Sequence, residues 1–176
     1  MKEQLQKDFD NTIKNLSLSQ KDIEIKKFSL DNFINKGFPN RKEEDWKFSD
    51  LNQIINKNIG ELSFYNDYTS TNKVDTSVFV DGLEHNKIVF INGRIEKIDF
   101  DYEKKGQIEI IDQSETINKF DNNNSLSDLN NAFTNKCFKI VIKTGYQLLK
   151  PLIIYHTTNS KIWSKNINLR LDFELQ

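Results

Sequence analysis

The sequence predicts an α+β protein with an N-terminal helical region over residues 1–60, a linker over 61–77 and a β-strand-rich region over 78–176. Three observations carry that reading. Apolar residues recur at helical spacing in the first third, a Gly-x-Pro stop interrupts them, and the second half breaks into short β-branched runs bounded by turn residues.

Leu5, Phe9, Ile13 and Leu16 follow one another at spacings of four, four and three, which puts them on one helical stripe and predicts a helix over 2–17. A second set, Phe28, Leu30, Phe33 and Ile34, leads to Gly37. That glycine can take the left-handed conformation that closes a helix, and Pro39 cannot continue one, so this helix should end near Lys36. A third helix is expected from about Asn40, carrying Trp46, Leu51, Ile54 and Ile55. Ion pairs are expected from Arg41 to Glu44 and Asp45, and from Glu43 to Lys47, with Trp46 as the buried anchor of a helix–turn–helix corner.

From Asn58 to Ser77 the pattern weakens into a linker, with Phe64, Tyr65 and Tyr68 available to dock it. Strands are then expected at Val78–Val80, Lys87–Ile91, Gln107–Ile111, Phe138–Ile142 and Leu152–Tyr155. Asn92-Gly93 is a hairpin turn, because both residue types tolerate positive φ. Asp121–Ser125 reads as loop, and Asp128–Phe133 as a short helical turn capped by Ser125 or Ser127. The last segment, Asn168–Leu175, alternates apolar and polar residues as a strand with one buried face does, and this suggests the front part of a longer stranded protein.

Composition narrows the function classes. With 25 basic and 26 acidic residues the net charge is −1, which provides no general attraction for nucleic acid. No apolar run is long enough to span a bilayer and the start lacks the apolar core of a signal peptide, so cytoplasmic residence is the default expectation, without membrane or nucleic-acid partners. The single cysteine, Cys137, excludes an internal disulfide or a site built from several thiolates of this chain, and it reads as a buried, inert thiol. His156 reads as a core or rim residue. His85 with Asp81 and Glu84 is a conceivable but weak metal set. No phosphate-binding glycine loop, nucleophile elbow or paired ligand motif occurs, so catalysis by this chain alone is not expected.

The densest motif runs Gly37-Phe38-Pro39-Asn40-Arg41-Lys42-Glu43-Glu44-Asp45-Trp46-Lys47-Phe48-Ser49. It resembles the Gly-Leu-Pro-Thr-Arg-Lys-x-Glu-x-Trp-Lys-Tyr-Thr segment of SufD, a scaffold subunit of the SUF iron–sulfur cluster assembly complex in the SufB/SufD family. Gly37, Pro39, Arg41, Glu44, Trp46 and Lys47 carry the match. Further blocks follow in family order: the hydrophobic run into Asn92-Gly93, then Leu129-Asn130-x-Ala132-Phe133, then Gly145–His156 with Pro151 before an apolar strand. Phe48-Ser49 stands where Tyr-Thr is usual, and Cys137 where a small residue such as glycine is typical.

The resemblance implies that this is the N-terminal part of such a subunit, in which the helical region leads into a right-handed parallel β-helix. It implies partnership with a SufB-like paralogue and a SufC-like ATPase through regions beyond residue 176. The whole complex would handle the iron–sulfur cluster, with no cofactor, metal or catalytic residue in these 176 residues. The rival reading is a carbohydrate-binding or carbohydrate-active β-solenoid presenting Tyr65, Tyr68 and Trp163. A third is a stand-alone interaction domain in which the Trp46 corner binds a partner.

Overall fold

A computed structural model describes residues 2–14, 16, 18–55, 57, 62–65, 72–114, 124–159, 162 and 165–176. The chain forms two units, one from Met1–Phe64 with Glu115–Asn135 and the other from Tyr65–Ser114 with Lys136–Gln176. The first is helical and the second is stranded, so the α+β class holds.

In the helical unit, α1 (Lys2–Lys14) buries Leu5 and Phe9 and ends before the expected residue 17. Helix α2 (Gln20–Lys36) starts at Ser19, whose hydroxyl accepts from Asp22 N at 3.2 Å and donates to the Asp22 carboxylate. This reciprocal cap satisfies an otherwise unpaired N–H. The helix ends where expected: Gly37 sits at φ 73° and its N–H reaches Phe33 O at 2.7 Å. Just beyond, Phe38 turns back into the core with its ring edge-on to Phe33, centroids 5.0 Å apart.

The expected third helix does not form as one element. Glu44–Trp46 is a single 3₁₀ turn, followed by a separate short α3 (Leu51–Ile54). The reason is competition from side chains for backbone groups. The Glu43 carboxylate accepts from Asn40 N at 3.1 Å, Asn40 Oδ1 accepts from Lys42 N at 3.0 Å, and Asp50 restarts the chain by accepting from Gln53 N at 3.0 Å. The expected ion pairs of Arg41 and Glu43 are absent among the described residues.

Helix α4 (Ser125–Phe133) is capped by Asn124, which accepts from Leu126 N at 2.9 Å, and not by Ser125 or Ser127. Although it lies between two strands in sequence, it packs on α2 within the helical unit. Ala132 and Phe133 complete the core formed by Leu5, Phe9, Leu30, Phe33, Phe38 and Ile55, and Phe64 stacks on Phe133.

The stranded unit has two three-stranded sheets. The first has the order β2–β1–β5, from β1 (Asn86–Ile91), β2 (Arg94–Asp99) and β5 (Leu152–Thr157). The second is β3–β4–β6, from β3 (Ile108–Asp112), β4 (Lys136–Ile142) and β6 (Leu169–Leu175). Asn92 at φ 53° and Gly93 at φ 80° make the expected tight turn, closing the pair Ile91 with Arg94. Each sheet joins one antiparallel and one parallel pair: β1 runs antiparallel to β2 and parallel to β5, and β4 antiparallel to β3 and parallel to β6. These are mixed sheets, and the described residues form no closed β-helix.

Inward-facing Ile88 and Phe90 of the first sheet meet Phe138 and Ile140 of the second, with Ile95, Ile108, Ile110, Leu152, Ile154, Leu169 and Leu171 around them. Val78–Val80, expected as a strand, instead begins in a 3₁₀ turn over Thr76–Val78 that Asp75 caps by accepting from Ser77 N at 2.9 Å. Of that run, Phe79 is the residue that packs, against Tyr155. The alternation in β6 half-buries Leu169 and Leu171 but leaves Phe173 and Leu175 53% and 78% exposed. No described helix is long and apolar enough to cross a membrane.

Candidate functional site

The motif residues separate by location. Gly37 and Pro39 close α2, while Arg41, Glu44 and Lys47 point into solvent. Trp46 is only half-buried and lies outside the helical core, so the anchor of the corner is Phe38, the residue after the Gly37 stop. Phe48 is 92% exposed, with Lys47 over its ring at 5.9 Å. Asn92 and Gly93 form the β1–β2 turn. Leu129, Asn130, Ala132 and Phe133 lie on α4, and the exposed Pro151 offers its carbonyl to Asn86 N at 2.8 Å, registering β5 against β1. Motif residues are thus spread over helix ends, turns, cores and exposed positions of both units.

The polar groups that organise the molecule are others. Lys26 on α2 is fully buried, and its ammonium donates to Asn131 O at 3.2 Å, to Ala132 O at 3.5 Å and to Thr134 O. These carbonyls close the C-terminus of α4, which has no basic residue in its own last turn. Lys26 therefore supplies, from another helix, the positive charge that a helix C-terminus favours. Burial pushes its pKa down to about 8, against the opposing pull of Asp22 one turn earlier. Lys36 adds a second link to α4, reaching Asp128 at 3.1 Å.

In the stranded unit Glu103 is the hub. Its carboxylate accepts from Asn86 Nδ2 at 2.6 Å, Tyr146 Oη at 2.7 Å, and Leu149 N and Lys150 N at 3.1 Å each, fastening the loop that enters β5. Burial raises its pKa, yet the combined hydrogen bonds outweigh burial and hold the carboxyl below the ordinary range. His85 is buried as well. Its Nδ1–H donates to Leu83 O at 2.5 Å, its Nε2 accepts from Tyr155 Oη at 2.7 Å, and that hydroxyl accepts from Val80 N at 3.0 Å. With both ring nitrogens engaged, His85 is not placed as a ligand. Glu84 instead pairs with Lys150 at 2.6 Å. Among the described residues no group of three or more His, Cys, Asp or Glu is placed to hold a metal ion.

Cys137 is buried and its thiol is pushed up by desolvation, as befits an inert core sulfur. The aromatics of the carbohydrate reading do not form a described face: Tyr65 is half-buried, and Tyr68 and Trp163 lie outside the described residues.

One concave feature gathers charge and aromatic surface. At the end of the two-sheet sandwich that holds the Asn92-Gly93 turn, a cavity of about 390 Å³ is lined by Arg94, Ile95, Asp112, Lys136 and Phe138. Phe138 meets Phe90 with ring centroids 5.7 Å apart, and Phe90 in turn meets the exposed His156 at 6.4 Å, edge to face.

No protein-family model matches this sequence, and a search of curated proteins finds no match. The functional reading therefore rests on the motif blocks and on the geometry described.

Proposed function

We propose that this protein is a SufD-like scaffold subunit of the SUF iron–sulfur cluster assembly machinery, acting with a SufB-like paralogue and a SufC-like ATPase. In this reading it supplies protein surface and performs no chemistry itself. Contacts with those partners are made by regions beyond residue 176, and the cluster is handled by the whole complex.

The observation that carries the proposal is the pair of parallel ladders. Strand β5 stacks on β1 in unbroken register from Asn86–Leu152 to Ile91–Thr157, and β6 stacks on β4 from Lys136–Leu169 to Ile142–Leu175. A chain that passes from one sheet to the other and then repeats the passage in parallel is laying a second rung on a first, which is how a parallel β-helix begins. The outer strands support the same reading. β2 carries Arg94, Glu96, Lys97 and Asp99 and pairs through an irregularity at Val89/Phe90, a combination that discourages further pairing. β5, Leu-Ile-Ile-Tyr-His-Thr, has no Lys, Arg, Asp or Glu and is suited to receive another strand.

The test is affinity purification of the protein, tagged in its native source at its natural length. Recovery of a SufB-like and a SufC-like protein in stoichiometric amount is expected, together with loss of cluster-enzyme activities when the gene is deleted. Recovery of neither partner, with those activities intact, would overturn the proposal. Retention on a polysaccharide column would favour the carbohydrate-binding solenoid instead.

A further inference from the structure

Independently of the scaffold reading, we propose that His85 and Tyr155 form an acid-sensitive latch: proton uptake by His85 releases the Val74–Leu83 segment from the outer face of the first sheet. Val89 and Ile91 of β1 alternate with the inward Ile88 and Phe90, and with Tyr155 and Ile153 of β5 they make a small core of their own, which Val74 and Phe79 cover. The Phe79 ring lies against that of Tyr155, centroids 4.7 Å apart. The cover is thin, because Val78, Val80 and Leu83 in the same segment are exposed and contribute little burial. What ties the segment to the sheet is the hydrogen bond from Val80 N to Tyr155 Oη at 3.0 Å, with the Glu84–Lys150 ion pair just beyond its end.

The partners fix where the hydrogens lie along this chain of bonds. Leu83 O can only accept, so His85 Nδ1 carries a hydrogen. Val80 N–H can only donate, so the Tyr155 hydroxyl accepts from it and directs its own hydrogen to His85 Nε2, 2.7 Å away. A second proton on the imidazole would enter at Nε2, in the line that the hydroxyl hydrogen occupies, and the hydroxyl that holds Val80 would have to turn. The added charge would also be buried, since His85 is 2% exposed. The charged and titratable groups around it do not offset that cost. On its own segment Asp81 is exposed and Glu84 is paired with Lys150 at the entry to β5. From β1, Lys87 places its ammonium 3.1 Å from His85 O and pairs with Asp99 of β2. Glu103, reached through the neighbouring Asn86, is held by Tyr146 and by Leu149 N and Lys150 N. On β5, His156 follows Tyr155 but faces the other way, edge-on to Phe90. The carboxylates are thus engaged elsewhere, while Lys87 and Lys150 oppose a further positive charge. Opening the segment lets water solvate the imidazolium and frees the hydroxyl, so proton uptake and opening are linked.

The experiment follows the full chain by NMR between about pH 7.5 and about pH 5, reading the His85 ring signals and the exchange of the Phe79 and Val80 amides relative to the intrinsic rate at each pH. Val80 protection is expected to fall about tenfold as the His85 ring titrates, with the amides of β4 unchanged. His85→Gln, an amide that can accept from the hydroxyl and donate to Leu83 O, should keep the segment closed and remove the pH dependence. Tyr155→Phe should open the segment already at neutral pH, and His156→Gln should behave as the parent, which separates the two histidines. Val80 protection that stays constant while His85 titrates would overturn the proposal, as would a His85 ring that takes up no proton above about pH 5. An equal fall in folded His85→Gln would do the same. Should that variant not fold, Tyr155→Phe decides in its place: a segment as well protected there as in the parent at neutral pH rules the latch out.

Discussion

In the helical unit a lysine, Lys26, is taken fully out of water and held by the end of a helix; in the stranded unit the buried His85 and Tyr155 are hydrogen-bonded to each other. The difference follows from what each architecture leaves unpaired. A helix packed by its C-terminus exposes several carbonyls that need donors, and one ammonium can serve three of them. A sheet satisfies its interior backbone by pairing, so its unmet needs lie in the segments that enter and cover it. There Glu103 holds the loop before β5, and Tyr155 holds Val80.

The largest test of this comparison removes the core that α4 shares with α2. Phe133→Ala should destabilise the helical unit by about 3–5 kcal/mol, since the ring is fully buried and meets both Phe9 and Phe64. Amide exchange should then show accelerated opening of α1, α2 and α4, with β1 and β4 protected longer. Equal loss of protection in both units would mean that they unfold as one.

Next in size is the pH response of Lys26. Its folded pKa of about 8 lies below the ordinary 10.5. Below pH 8 both folded and unfolded chains carry the proton and the burial cost is fully present. Between about 8 and 10.5 the unfolded chain holds more protons, so stability rises with pH, by an amount on the order of 3 kcal/mol from this group. Urea unfolding from pH 7 to 10 should show the rise in the parent protein and its absence in Lys26→Met. A parallel rise in both would place its origin elsewhere. At pH 7 the variant loses a donor to three carbonyls, which offsets part of the relief from removing a buried charge.

Glu103→Gln should cost about 1–2 kcal/mol, because an amide cannot accept from all the donors that the carboxylate serves. The depressed carboxyl also gives a sign: its contribution is present above the unfolded pKa and is lost as pH falls through the lower folded one. Parent and variant should differ in melting temperature at pH 7 and converge under acid conditions. A difference that persists undiminished in acid would sink the assignment.

The smallest effect is expected where the sequence pointed most strongly. Trp46→Ala should cost less than about 1 kcal/mol and Phe48→Ser less than about 0.5, while Phe38→Ala costs about 3–5 kcal/mol. A cooperative melt of the Trp46 variant at nearly the parent temperature would place the anchor at Phe38. A loss comparable to that of Phe38→Ala would restore Trp46 to that role.

Legibility followed the range of the interaction. The second half of the helix that ends at Lys36, its stop at Gly37, the Asn92-Gly93 turn and most of strands β1, β3, β4 and β5 could be read locally, because each depends on residues a few positions apart. The run Val78–Val80 misled because β-branched composition records fitness for a pleated surface, while the Asp75 cap decides the backbone there. Trp46 misled because large aromatics are usually buried, yet the Asn40–Glu43 and Asp50 side-chain bonds break the helix that would have aimed it inward.

The cavity at the end of the sandwich was less legible still. His156 and the Asn92-Gly93 turn stood out, but Arg94, Asp112 and Lys136 are ordinary surface residues until three strands bring them to one cavity. Glu103 and Lys26 carried no signal, since lysine on a charged helix reads as solvated.

Hydrophobic period, caps and turns in the sequence were enough to assign an α+β chain with helices before strands, because those features act within a turn or two of backbone. Tertiary structure alone decided that Ser125–Phe133 joins the helices, that β1 takes β5 as its parallel neighbour across the intervening chain, and that Lys26 is sealed from water. Each of these depends on which distant segments share a core. That choice is set by the total apolar area buried and by the donors available for stranded carbonyls, and neither quantity exists until the chain has closed on itself.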